Sequence, residues 1–146
     1  MTKWKTAGDS ITAALRLARP DSKNILIVGA GTVGHSLYDA YSSTFPNAVF
    51  QVWNRTHEKA ISMAQGKSNV SATDNLETAV RSADIISCAT MSKEPIINGG
   101  WLMSGQHIDL IGAYRPDMRE VDDLSIRRSS ISVSYTHLTL PRIERC

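Results

Sequence analysis

Residues 24–34 read NILIVGAGTVG, a short apolar run that leads into three closely spaced glycines. The apolar run has the length and composition of a buried strand, and the residues at 32–45 predict a helix directly after it. Gly29, Gly31 and Gly34 form the pattern G-x-G-x-x-G at the junction, which is informative where a strand precedes it and a helix follows. This stretch therefore predicts a strand–turn–helix unit that binds the pyrophosphate of a dinucleotide.

Each residue of this loop has an expected role. Gly29 allows the tight turn, Gly31 lets the backbone approach a phosphate, and Gly34 lets the helix pack closely on the strand. Thr32 and Val33 begin the helix, whose free N–H groups and positive dipole end attract phosphate. The alternative is a plain strand–turn–helix unit whose glycines only make the turn tight. The further strands and helices that follow in order favour the nucleotide interpretation.

Strands and helices alternate along the chain. We predict a Rossmann-like α/β fold, a doubly wound parallel sheet with helices on both faces. Thr56 is the expected N-cap of one helix, and Asp74 with Glu77 the expected capping box of another. The predicted strands are 24–30, 48–54, 69–73, 84–90 and 107–113, and the predicted helices are 10–19, 32–45, 56–65, 74–83 and 122–130. The chain divides into a helix entering the domain (1–20), an NAD(P)-binding Rossmann domain (21–131) and a tail (132–146).

Composition and charge bound the function classes. The 146 residues are 42% hydrophobic and 21% charged, with a net charge of +2, which suits one globular domain and gives no sign of a nucleic-acid partner. No apolar run approaches the roughly 20 residues that span a bilayer. Cys88 and Cys146 do not form a disulfide framework, so we expect a cytoplasmic protein with Cys88 buried. His35, His57 and His107 lack metal-ligand spacing, so we predict no metal site.

The second predicted strand ends in VWNRT, where a dinucleotide-binding protein often carries an acid. An acid there bonds the ribose 2′-hydroxyl of NAD and repels a 2′-phosphate. Asn54 is uncharged, Arg55 can pair with phosphate and stack on adenine, and Thr56 adds a hydroxyl at the next helix start. These residues favour NADP(H), with NAD(H) possible if Arg55 is only a solvated loop cation.

Four stretches together resemble the ornithine cyclodeaminase/mu-crystallin family. They are WKTAGDSITAALRLAR (4–19), VGAGTVGHSLYDAY (28–41), VWNRTHEKA (52–60) and EPIINGGWLMSGQHIDLIGAYRPDMREVDD (94–123). The last is the most specific, because an Arg-Pro-Asp-x-Arg-Glu-x-Asp-Asp run after this strand is not a general Rossmann feature. The resemblance covers roughly residues 3–131.

The resemblance implies an NAD(P)-dependent enzyme that moves hydride to or from the α-carbon of an amino or imino acid. It would convert ornithine to proline and ammonia, or reduce a cyclic ketimine. Family members are about twice as long and are expected to be homodimers, with a second domain that is missing from this sequence. A non-catalytic binding protein that holds NADPH is the alternative, and the piece by itself is expected to be inactive.

The resemblance also assigns individual residues. Lys5 stands where the family commonly has an arginine that binds the substrate carboxylate, and Thr6 where a hydroxyl contacts cofactor phosphate; a solvated lysine is the alternative for Lys5. Ligands of such sheets bind at the carboxyl ends of the strands. We therefore expect four residues that end the fourth and fifth strands to line the nicotinamide, although Thr90 could be a simple strand-end cap. The four are Thr90, Met91, Gly112 and Ala113.

Tyr114 is the main departure from the cyclodeaminase pattern. Cyclodeaminases carry a catalytic aspartate at this position, in Gly-Asp-x-Pro-Gly-Lys, and this sequence reads GAYRPDMRE instead. Tyrosine, with a reference pKa near 10, is a poor base at neutral pH. The stretch therefore favours the imine-reductase branch and leaves the catalytic residues unknown. The acidic residues of the following run are expected to serve a loop and a helix N-cap: Asp117, Glu120, Asp122 and Asp123.

The last residues differ in character from the rest. The stretch VSYTHLTLP, which starts at Val133, resembles a translated sequencing adapter, so we interpret residues 132–146 as a non-native tail. The alternative is a genuine edge strand, which the loose alternation of Val133, Tyr135 and Leu138 would suit.

Overall fold

The computed structural model describes residues 2–113 and 115–132 of the chain. Its strands form one parallel five-stranded sheet in the order β3-β2-β1-β4-β5. The strands are β1 (Asn24–Val28), β2 (Val49–Trp53), β3 (Val70–Ala72), β4 (Ile85–Cys88) and β5 (His107–Leu110). The helices are α1 (Thr2–Leu17), α2 (Thr32–Thr44), α3 (His57–Ala64), α4 (Leu76–Ser82) and α5 (Asp123–Arg127), with a 3-10 helix at Gly99–Trp101.

Helices cover both faces of the sheet, so the predicted doubly wound α/β fold is confirmed. On one face, α1, α2 and α3 pack on the sheet through residues such as Ala14, Tyr41 and Met63. On the other face, α4 and the loop after β4 pack through residues such as Val80 and Ile97. Alternate residues of β1 serve the two cores, as the continuous apolar run predicts for a strand buried on both faces.

The chain reverses its direction across the sheet at β1. This strand pairs with β2 on one side and with β4 on the other, so the crossover after β3 moves to the opposite half of the sheet. The loops after β1 and β4 diverge at this point and leave a crevice at the carboxyl ends of the strands. Open α/β sheets bind their ligands in this crevice.

Helix α1 runs antiparallel to the strands. After its last turn, Arg19 donates to Asp84 at 2.6 Å, at the edge of the sheet where the strands begin. Ser10, in the middle of the helix, lies beside Asp109 of β5, closer to the edge where the strands end. The first turns of α1, with Lys5 and Thr6, therefore point toward the edge that carries the glycine loop.

Several predicted boundaries are wrong, each for a local reason. The first helix starts at Thr2 rather than at residue 10, because its early turns also pack on the sheet through Ala7. The α4 N-cap is Asn75, whose side chain accepts from Thr78 N at 3.0 Å, so the predicted Asp74–Glu77 capping box does not form. Glu77 pairs instead with Arg81 one turn later.

The fourth and fifth strands are shorter than predicted. They end at Cys88 and Leu110, so Thr90 and Gly112 lie in the loops beyond them. The reason is that the N–H groups of Thr90 and Gly112 bond to a side chain, Glu120, instead of continuing the ladder. Cys88 is buried, as predicted. Tyr114 and the tail from residue 133 lie outside the described residues, so the predictions made for them stay predictions.

Candidate dinucleotide site

The glycine loop, residues 29–34, leaves the sheet at the carboxyl end of β1. Gly29 has φ +112, a conformation that side chains rarely adopt, and a Cβ there would lie 2.6 Å from Ala89 O. A Cβ on Gly34 would overlap the carbonyl oxygen of Gly29, which is a backbone atom and cannot rotate away. The turn and the close packing of α2 on the strand therefore require these two glycines, in the roles that the sequence predicts.

Gly31 differs from both of its neighbouring glycines. It is exposed, its φ is −88, and a Cβ built on it would meet nothing within 4 Å. It is also the N-cap of α2. Because glycine has no side chain, the first-turn N–H groups of this helix receive no capping hydrogen bond from it. The fold would accept a side chain here, so packing does not explain the glycine.

The residues after β2, Asn54, Arg55 and Thr56, form a second loop beside the first, which we call the cation loop. Arg55 is exposed, and its Nη2 donates to Ser92 Oγ at 3.4 Å, so the guanidinium reaches from the end of β2 toward the loop after β4. Thr56 is the N-cap of α3, as predicted, but its hydroxyl makes no capping bond. The structure thus places Arg55 and Thr56 at the same edge of the sheet as the glycine loop.

An open groove of about 490 Å³ lies between the glycine loop with the first turns of α2 on one side and α3 on the other. The glycine loop contributes Ala30, Gly31 and Thr32 to its lining, and α3 contributes Lys59. The first turns of α2 complete it with His35, Ser36 and Asp39. The start of α2, where the helix dipole is positive, therefore opens into a groove rather than into packed protein.

Glu120 joins the ends of β4 and β5, and sequence reasoning placed it only among loop or cap acids. Its side chain is 2% exposed, and Oε1 accepts from Thr90 N at 2.7 Å and from Thr90 Oγ1 at 2.8 Å. Its Oε2 accepts from Gly112 N at 3.2 Å. Burial raises the pKa of Glu120, and these hydrogen bonds oppose that shift. A Cβ on Gly112 would overlap Thr90 O, so the two strand ends approach as closely as backbone allows.

A second partly buried acid, Asp109, lies on β5 below this edge. Its carboxylate accepts from Ser87 Oγ of β4 at 3.0 Å, and burial raises its pKa. His107 on the same strand is buried, and burial lowers its pKa. Asp109 thus links β4 to β5 through Ser87 and lies beside Ser10 of α1.

The remaining predicted site residues lie at the same edge of the sheet with different exposure. Met91 is 71% exposed just after β4, and Ala113 is exposed after β5. Asp122 is the N-cap of α5 and accepts from Ser125 N at 2.9 Å, so its predicted capping role is confirmed. Asp117 pairs with Lys93 and Arg115, and Arg119 with Asp123.

Residues 2–113 and 115–132 contain no group of three or more His, Cys, Asp or Glu side chains placed to hold a metal ion. Over that range, every helix is too short or too polar to cross a bilayer.

Comparison with known proteins places this chain in a family. Delta(1)-pyrroline-2-carboxylate reductase of Paracoccus denitrificans is 43% identical, over 98% of this chain and 47% of that protein. Ketimine reductase mu-crystallin of Mus musculus is 37% identical, over 96% of this chain and 45% of that protein. The chain spans about half the length of these curated relatives.

A solved structure shows the same fold. Thermococcus litoralis Delta(1)-pyrroline-2-carboxylate reductase, in complex with NADH and L-proline, superposes with a TM-score of 0.81 at 30% identity, covering 88% of this chain and 41% of that one. The family profile for the ornithine cyclodeaminase/mu-crystallin family matches residues 1–141, a longer span than the stretches that carry the resemblance. The chain therefore belongs to the ornithine cyclodeaminase/mu-crystallin family.

Proposed function

We propose that this chain is the dinucleotide-binding half of an imine reductase that transfers hydride from NADPH or NADH to a cyclic imino acid. The observation that carries the proposal is Gly31, a glycine that packing does not require, at a helix N-terminus that no side chain caps and that opens into a groove. A missing Cβ at such a point suits a ligand whose phosphates approach the backbone closely.

The residues present fit a dinucleotide. The N–H groups at the start of α2, from Gly31, Thr32 and Val33, would hold the pyrophosphate, because they meet its charge with aligned donors and the helix dipole. Thr90, Met91, Gly112 and Ala113, beyond the ends of β4 and β5, would contact the nicotinamide end. When bound, a reduced nicotinamide supplies the hydride, and the protein supplies orientation and electrostatics.

We propose NADPH as the preferred dinucleotide. Arg55 is exposed at the end of β2, and the next residue, Thr56, has a hydroxyl that makes no capping hydrogen bond. A guanidinium forms paired, charge-assisted hydrogen bonds with a phosphate, and no carboxylate stands at position 54 to repel one. The T. litoralis reductase structure contains NADH, so NADH binding by this chain is the competing outcome.

The substrate proposal is a small cyclic imino acid. Two relatives named above are Delta(1)-pyrroline-2-carboxylate reductases, and a third is a ketimine reductase. The sequence also has tyrosine rather than aspartate at position 114, which favours reduction over ornithine deamination. Lys5, in the first turns of α1 near the same edge of the sheet, would attract the substrate carboxylate by its charge.

Two measurements test the function, the first on this chain and the second on a full-length version of the protein, because this chain spans about half the length of its curated relatives. The first is a fluorescence titration with NADPH and NADH, in which we expect saturable binding and a lower Kd for NADPH. The second follows oxidation of NADPH after addition of Δ1-pyrroline-2-carboxylate, with ornithine and NAD⁺ as the comparison reaction. Binding without imine reduction would support the non-catalytic binding protein, and absence of binding would refute the dinucleotide site itself.

A further inference from the structure

We propose that Asn54 is a positioning residue that fixes the glycine loop against the cation loop, and that it strengthens binding of NADH and NADPH equally. This inference rests on the proposed dinucleotide function. It differs from the role expected from sequence, where Asn54 is an uncharged contact at the cofactor ribose.

Both polar atoms of the Asn54 side chain are engaged with backbone. Oδ1 accepts from Ala30 N at 2.9 Å, and Nδ2 donates to Thr56 O at 2.9 Å. The orientation of the amide follows from this chemistry, because an N–H group needs an acceptor and a carbonyl group needs a donor. One side chain therefore joins the loop after β1 to the loop after β2.

The Ala30 bond continues the pairing of β1 with β2 beyond the point where the strands end. Gly29 N donates to Trp53 O at 2.8 Å, which is the next rung of the ladder. Gly29 then turns at φ +112, and the backbone of the two strands diverges. The Asn54 side chain supplies the acceptor that Ala30 N needs at this buried position. It thereby sets where the next amides, those at the start of α2, emerge.

The Thr56 bond fixes the other loop. Thr56 O also accepts from Lys59 N at 3.0 Å, in the first turn of α3, so this carbonyl is held from two sides. Arg55 lies between Asn54 and Thr56 and is the residue expected to meet a 2′-phosphate. Asn54 consequently fixes the spacing between the pyrophosphate-facing amides and Arg55, which is the span that a dinucleotide must match.

Other side chains do not reproduce this arrangement. Leucine has the same number and branching of side-chain heavy atoms, with somewhat larger volume, but it makes neither hydrogen bond. Aspartate keeps an acceptor for Ala30 N, but it has no donor for Thr56 O and adds a negative charge next to Arg55. The two substitutions thus separate the hydrogen bonds from simple filling of space.

The test compares Asn54→Leu, Asn54→Asp and Arg55→Ala by titration with NADH and NADPH, with thermal unfolding of each variant. We expect Asn54→Leu to raise Kd for both dinucleotides by the same factor, roughly tenfold for two ordinary hydrogen bonds. Asn54→Asp should recover part of the NADH affinity, because the bond to Ala30 N remains. Arg55→Ala should raise Kd for NADPH alone.

Asn75→Ala is the matched control. It removes an asparagine that accepts one backbone bond at the start of α4. It should lower Tm and leave both Kd values unchanged. In Asn54→Leu, amide exchange at Ala30 should also become faster, which reports the loss of the bond directly.

Three other results would overturn the inference, and each points to a different role for Asn54 or for the site. A loss confined to NADPH in Asn54→Leu would make Asn54 a direct 2′-phosphate contact. A lower Tm with both Kd values unchanged would make it a structural residue only. If the unmodified chain binds neither dinucleotide, the proposed function itself fails, and the inference fails with it.

Discussion

Replacing Gly31 and Gly34 by alanine, one at a time, separates the glycine that a ligand needs from the glycine that the fold needs. The two positions lie three residues apart, at and just after the start of α2. The same methyl group is added in both cases. Any difference between the variants therefore reports the surroundings of the two residues and not the chemistry of the substitution.

The structure predicts a larger loss of stability at Gly34 than at Gly31. At Gly34 the methyl overlaps the backbone of Gly29, and overpacking of this kind costs about 1–3 kcal/mol, offset in part by the better helix propensity of alanine, about 1 kcal/mol. Because the built Cβ would overlap Gly29 O, we expect the upper end of this range, and the net loss of about 2 kcal/mol should lower Tm by roughly 4–8 °C. At Gly31 the methyl meets nothing within 4 Å, so only the poorer N-cap propensity of alanine acts, and the free energy of unfolding should fall by about 0.5–1 kcal/mol.

For dinucleotide binding, the structure predicts the larger effect at Gly31. The Gly31 methyl would occupy the space through which the pyrophosphate approaches the backbone, and a cost of about 1.4–2.8 kcal/mol, within the overpacking range, corresponds to a roughly 10–100-fold higher Kd. Because the pyrophosphate is common to both dinucleotides, NADH and NADPH should lose affinity equally. The assay is fluorescence titration of the reduced nicotinamide, together with thermal unfolding with and without NADPH.

Two results would refute this reasoning. If Gly31→Ala binds NADPH as tightly as the unmodified chain, the open glycine does not mark a phosphate site. If Gly34→Ala unfolds at the same temperature as the unmodified chain, the overlap with Gly29 is relieved without cost, and the requirement for glycine there is wrong.

Three further outcomes are expected. Arg55→Ala should raise Kd for NADPH roughly 10–100-fold, because hydrogen bonds to charged groups contribute about 1.5–3 kcal/mol, and it should change Kd for NADH less than about twofold. Equal losses of affinity for the two dinucleotides in parallel titrations would contradict the 2′-phosphate role. Glu120 should make stability depend on pH, because burial raises its pKa. Its contribution to stability is present below the ordinary pKa of 4.5 and declines as pH rises through the folded-state pKa. Urea unfolding across pH should show this decline relative to Glu120→Gln, and parallel curves for the two proteins would count against it. Burial alone would raise the pKa of Asp84, but hydrogen bonds from the amides of Asn24 and Lys23 and the charge of Arg19 lower it. The stabilisation by Asp84 should therefore be present above pH 3.8 and be lost as pH falls. Asp84→Ala should reduce the free energy of unfolding by about 1–2 kcal/mol at neutral pH, and an unchanged value would disprove this contribution.

The local features of the chain were predictable because their causes are local. An apolar run followed by glycines and a helix pattern identifies β1 and α2 within about twenty residues, and the conformation of Gly29 follows from the same stretch. The uncharged end of β2 with Arg55 is also visible in the sequence. Alternation of strands and helices then implies the parallel sheet, since right-handed crossovers leave few other arrangements.

The errors arose where a polar side chain interacts with distant backbone. Glu120 reads as one of several acids in a loop, yet it bonds Thr90, 30 residues earlier in the chain. Asn54 reads as an uncharged substitute for an acid, yet it bonds Ala30, 24 residues earlier. Neither partner is indicated by composition or spacing, so the sequence predicts the ends of β4 and β5 too late and gives no sign of the hydrogen bonds that Asn54 makes.

Sequence pattern thus identified the elements, the turn at Gly29 and the family to which the chain belongs. Strand order and register decided which loops meet. Because β1 lies between β2 and β4, the glycine loop, the cation loop and the residues beyond β4 share one edge of the sheet. Periodicity reports which face of an element is apolar, and it carries no information about which distant backbone group a buried asparagine or glutamate must satisfy. That pairing exists only once the strands are assembled.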